Sequence, residues 1–60
     1  MTKEEFKAAR LEMGLTAKEM GKFLWGKTAR TIYYYEDGTY DVPLPDEEKI
    51  NRERLKNGGN

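Results

Sequence analysis

Residues 21 to 28 read GKFLWGKT and fit the phosphate-loop pattern G-x-x-x-x-G-K-[ST] letter for letter. That loop serves nucleotide chemistry where it joins a strand to a helix, so that successive amides wrap a phosphate and the helix dipole faces it. Here Gly21 falls inside an amphipathic helical segment, no strand pattern precedes it, and no second acidic motif stands ready to hold magnesium. No nucleotide is expected to bind. The chain has neither cysteine nor histidine, which removes disulfides, zinc sites, thiolate nucleophiles and imidazole acid–base catalysis. Its adjacent carboxylates, Glu4 with Glu5 and Asp46 with Glu47 and Glu48, are explained as first-turn residues that complement a helix dipole. The expectation is no enzyme, no cofactor and no metal.

The charged residues that do stand out are Arg10 and Glu36, because each falls on the apolar face of its helix. A first helix is predicted from Thr2 to Met13, with Thr2 as cap, Glu5 completing a capping box and Gly14 just past the end. Phe6, Ala9, Arg10 and Met13 share one face. A second helix starts at Thr16, boxed by Glu19, and its inward stripe is Ala17, Met20, Gly21 and Leu24, with Gly21 permitting close helix contact. A third is capped by Thr28, whose hydroxyl can accept from the amide of Arg30 or Thr31, and stopped by Gly38. Ile32, Tyr35 and Glu36 then point inward. Arg10 and Glu36 would each be costly to bury alone, so they are expected to meet between the first and third helices. Trp25-Gly26-Lys27 is a tight connection in which glycine can take a positive backbone angle. Two short helices joined in this way form a helix-turn-helix.

From Phe6 to Gly38 the chain, with ARLEMGLTAKEMGKFL and then TIYYYEDG, resembles the DNA-binding domain of the lambda-repressor and Cro-like family. The resemblance rests on the Arg10 and Glu36 pair, the Gly-Leu-Thr that leads into the second helix, the small residue at Gly21, Ile32, and Glu-x-Gly ending the third helix. The span from Leu24 to Ile32 is about one residue longer than the usual spacing, with Trp25 as the insertion. The resemblance implies an all-α bundle of about four helices and a sequence-specific transcriptional regulator, a repressor, that binds double-stranded DNA as a homodimer on an inverted repeat. Residues 28–36 would enter the major groove.

Counting about 100° per residue from Ile32, Arg30 and Tyr34 lie opposite the core, with Tyr33 and Ala29 on one flank and Thr31 on the other. By the resemblance, Ala29, Arg30, Thr31 and Tyr34 approach base edges, with Thr28 at the helix start and Tyr33 adjacent. Arg30 suits a bidentate contact to guanine, Ala29 a thymine methyl, and Tyr33 and Tyr34 phosphates or methyl groups. A helix cannot bury all three tyrosines on one face, so Tyr35 takes the core. The start of the second helix, Thr16, Ala17 and Lys18, would grip a phosphate, with Lys18 and Lys27 supplying charge. Phe23 and Trp25 fall off the main stripe of the second helix. They either cap the core under the lengthened turn or form an exposed aromatic patch for a partner, with the core favoured for Trp25.

At 60 residues the chain is one domain, near the lower limit for folding without disulfides or metals. Residues 1–38 form the helix-turn-helix core and residues 39–60 a carboxyl-terminal extension of the same domain. No signal peptide or membrane span is visible, so the cytoplasm is the default. Net charge is zero, but residues 1 to 30 carry seven basic and four acidic side chains, residues 31 to 48 six acidic and no basic ones, and residues 49 to 60 four basic and one acidic. Lys18, Lys22, Lys27 and Arg30 gather around the starts of the second and third helices, where a phosphate backbone would lie. Zero net charge also leaves open a protein-interaction module of the same fold, such as an antitoxin or a phage inhibitor.

After Gly38, Thr39 to Pro45 reads as extended or turn-like, because each proline biases its predecessor away from helix. A fourth helix follows, with Asp46 as cap and Arg52, Arg54 and Lys56 towards its end. Ile50 and Leu55 are its only large hydrophobes and share no stripe. Gly58-Gly59-Asn60 is expected to fray. Tyr40, Val42, Leu44 and Ile50 lack local apolar partners; they either fold back over Leu11 and Leu15 or, the favoured expectation, organise a dimer on DNA.

Overall fold

Three threonines set three helix starts. In the structure, a computed structural model that describes residues 1–58, Thr2, Thr16 and Thr28 each hold extended backbone, and each hydroxyl accepts the amide three residues on. They open α1 (Lys3–Glu12), α2 (Ala17–Phe23) and α3 (Ala29–Asp37). At the first two the box is complete: Glu5 accepts from the Thr2 amide at 2.8 Å and Glu19 from the Thr16 amide at 2.9 Å. Of the two amides open to Thr28, its hydroxyl takes that of Thr31, at 3.3 Å. Gly38 ends α3 in the left-handed conformation, φ 86°, where the absence of a Cβ removes the usual steric cost.

The last helix, α4 (Leu44–Gly58), begins two residues ahead of the expected cap. The Pro43 carbonyl accepts the Glu47 amide at 3.0 Å, and Pro45 lies in the first turn, where a missing N–H leaves nothing unpaired. Leu44 and Pro45 are thus helical rather than extended. Asp46, freed from capping, turns inward and is 2% exposed. Gly58 is the last helical residue, and the expectation for Gly59 and Asn60 lies outside the described residues.

Among the described residues the architecture is all-α, four helices around one core of Phe6, Ala9, Ala17, Met20, Leu24, Ile32, Tyr35 and Ile50. Every apolar residue placed inward from the periodicity of the second and third helices is in it. Phe6 meets Tyr35 edge-on, ring centres 5.4 Å apart, a favourable quadrupole geometry. Ile50 corrects the expectation for the extension, because it is fully buried and so consumed by the core. Val42 and Leu15 pack against the core margin, whereas Leu11 and Leu44 stay exposed. Polar contacts fasten α4 to the remainder: Lys49 donates to the Phe23 carbonyl at 2.7 Å, Arg54 to Glu12 at 3.0 Å, and the Met1 ammonium pairs with Glu47.

Gly21 does a different job from the one expected. A Cβ there would stand 2.0 Å from the Lys27 carbonyl oxygen, so what it admits is the backbone of the α2–α3 connection. The Lys27 amide donates to the Gly21 carbonyl at 2.8 Å across this contact. Among the described residues, no helix is long and apolar enough to cross a membrane.

Candidate nucleic-acid interface

The orientation of α3 is fixed from its buried side. Arg10 donates through Nε to Glu36 Oε2 at 2.5 Å and through Nη2 to Oε1 at 3.3 Å, while Nη1 donates to the Leu15 carbonyl at 3.0 Å. The planar fork therefore ties α1 to the C-terminal end of α3 and to the residues leading into α2. Both side chains are nearly buried, 13% and 9% exposed. With Ile32 and Tyr35 in the core, this locks the rotation of α3 about its own axis.

What remains outside on α3 is Arg30, Tyr33 and Asp37, all exposed, with Thr28 at the helix start. Arg30 has no ion-pair or hydrogen-bond partner among the described residues, so its five donors are free. Ala29 and Thr31 are half-buried, and the Thr31 hydroxyl sits 3.1 Å from that of Thr28. Tyr34 departs from its expected place fully opposite the core. It is half-buried, because Tyr40 folds back to meet it edge-on at 5.1 Å and the Tyr40 amide donates to the Tyr34 carbonyl. Its ring is thus part of the α3–α4 junction.

Lys27 has a partner inside the molecule. Rather than standing free, it is 28% exposed at its side chain and lies 3.5 Å from Asp46 Oδ2, a buried oxygen that no hydrogen bond satisfies. Removing that carboxylate from water is offset chiefly by the ammonium beside it. Burial in the same region pushes the Tyr35 phenol above its ordinary value, and the Lys27 charge pulls it part of the way back. Lys27 is therefore an internal counterion that fastens the α2–α3 connection to α4. The GKFLWGKT stretch runs through α2, this connection and the α3 cap, with no strand among the described residues.

At the start of α2, the Thr16 hydroxyl is engaged by the Glu19 amide at 3.2 Å and Ala17 is buried, leaving Lys18 as the exposed cation. Trp25 overturns its expected burial. It is 61% exposed and its backbone is left-handed, φ 62°, followed by Gly26 at φ 78°. For a bulky residue that conformation costs about 1 kcal/mol or more. A left-handed Trp25 turns its side chain away from the core. Sequence reasoning missed Lys49, whose ammonium lies 4.6 Å from the ring centres of both Phe23 and Trp25. No local pattern announces a contact that far along the chain.

Comparison with protein-family models, with characterised proteins and with solved structures finds no match for this chain.

Proposed function

We propose that this chain is a sequence-specific regulator of transcription, a repressor, that binds double-stranded DNA through a helix-turn-helix formed by α2 and α3. The observation that carries the reading is the two-faced character of α3. Its inner face is held by Ile32, Tyr35 and the Glu36–Arg10 pair, while its outer face offers Arg30 without a partner beside an exposed Tyr33. A helix held this firmly and bearing a free guanidinium suits insertion into a major groove, where Arg30 donates two parallel hydrogen bonds to guanine O6 and N7. Lys18 and Lys22, exposed on α2, add phosphate contacts. Repression then needs no chemistry, only occupancy of a promoter. The protein acts as a dimer on an inverted repeat, with half-sites about 34 Å apart or a multiple of that.

Selection of duplexes from a randomised pool at low salt, followed by titration of the enriched sequence, tests the reading. Arg30→Ala is expected to lower affinity for the selected duplex by about 1 to 3 kcal/mol and leave scrambled duplex nearly unaffected. Equal losses on both would move Arg30 to the phosphate backbone. The second reading, a protein-interaction module, draws on the six acidic and no basic residues between 31 and 48, which repel a polyanion. Absence of any duplex complex at low salt would favour it.

A further inference from the structure

Trp25 is the one tryptophan of the chain, and it takes no part in the reading above. Its indole is largely exposed and its backbone is left-handed. Lys49, reaching from α4, places its ammonium at the same 4.6 Å from the Trp25 and Phe23 rings. That ammonium is itself anchored on the Phe23 carbonyl at 2.7 Å, so the ring is positioned by a fixed cation rather than left to swing. Trp25 also stands three residues before the Thr28 cap, at the end of α3 that leads into a groove, with Lys22 exposed one turn back on α2.

An ordinary loop residue here would avoid both the left-handed conformation and the exposed apolar ring. The surface formed is a flat aromatic plate with one N–H donor and the Lys49 ammonium against it. Its charge complements a polyanion, and its indole N–H suits a phosphate oxygen.

We propose that Trp25, clamped by Lys49, is a contact for the sugar–phosphate backbone of duplex DNA next to the base pairs that α3 reads. This rests on the DNA-binding reading. The ring packs on deoxyribose, its Nε1–H donates to a phosphate, and Lys49 adds charge. The contact carries no sequence information, so it strengthens binding to any duplex.

The intrinsic fluorescence of this tryptophan and the anisotropy of a labelled duplex, read in the same titration of the full chain, test the proposal. Expected is a change in tryptophan emission, with protection from acrylamide quenching, that tracks the anisotropy. Trp25→Asn, a residue that tolerates a left-handed backbone, should fold and weaken selected and scrambled duplexes alike, by about tenfold, with the salt slope unchanged. Lys49→Gln should weaken both and reduce the slope by about one. If duplex binds while Trp25 stays open to acrylamide and Trp25→Asn binds as well as the parent, the backbone contact is overturned and the DNA-binding reading stands. Failure to bind any duplex at low salt overturns both. Emission that changes with protein concentration alone would assign the plate to a second copy of the chain and overturn the proposal.

Discussion

Arg10 uses three of its donors inside the molecule, two on Glu36 and one on the Leu15 carbonyl. Removing either partner leaves the other charge nearly buried without compensation, and such losses run to about 3 kcal/mol or more. In a 60-residue domain that is a large part of the whole stability. Thermal melts of Arg10→Met and Glu36→Gln should each fall well below the parent, and the double variant should recover part of the loss, since no lone charge remains. Single variants that melt like the parent would mean the pair is solvated. This pair was legible because both residues lie on apolar faces whose period is local. The Lys27–Asp46 pair was not, because it joins a turn to a helix that starts three residues earlier than a cap at Asp46 implies. With Asp46 taken as a cap, its side chain had a local use and nothing pointed to Lys27.

At the scale of the helices, local chemistry was read well wherever a cap could be recognised. Thr2 with Glu5, Thr16 with Glu19, and Gly38 after α3 all act as their spacing implies. The α2–α3 connection was read less well, since its shape depends on the close approach at Gly21 and on Lys49 from another helix. Gly21→Ala would drive a Cβ into the Lys27 carbonyl, backbone that has no rotamer by which to yield. We expect a loss of about 1 to 3 kcal/mol, read as a lowered denaturation midpoint. A midpoint equal to the parent's would show that α2 and the turn separate freely. The capping boxes also set a pH dependence. The Thr2 amide holds the Glu5 carboxyl, and the Thr16 amide that of Glu19, below the ordinary value of 4.5. Hydrogen bonds from Thr39 do the same for Asp37. A depressed folded value means these contributions are complete above the ordinary carboxylate range and vanish as pH falls through the lower folded values. Replacing both glutamates, Glu5→Gln with Glu19→Gln, keeps an acceptor in each box but removes the titration. Its melting temperature should therefore decline less than the parent's between about pH 5 and pH 3. Parallel curves would place the acid sensitivity elsewhere.

For the molecule as a whole, the question is how two copies would meet. The large apolar residues after Gly38 divide into different roles: Ile50 is buried in the core, Val42 packs at its margin, Tyr40 leans on Tyr34 while remaining half exposed, and Leu55 is exposed. Leu44, at the start of α4, is 63% exposed with the Tyr40 ring also accessible. The sequence pattern could not separate these cases, because a lone hydrophobe among charges reads alike whether it fills a core or awaits a partner. What is left on the outside is too small to form a stable interface of about 1,200 to 2,000 Å². A dimer in this region would therefore assemble on DNA, where the duplex holds the two copies together and raises their effective concentration. Leu44→Asp places a charge in that contact without disturbing the core. It should weaken cooperative binding to a full palindrome more than binding to an isolated half-site, and leave the melting temperature of the free protein almost unchanged. Sedimentation of the parent with the full palindrome should give two chains per duplex at saturation and a monomer in free solution. One chain per duplex at saturation would eliminate the dimer, and equal weakening on palindrome and half-site would move the contact away from Leu44.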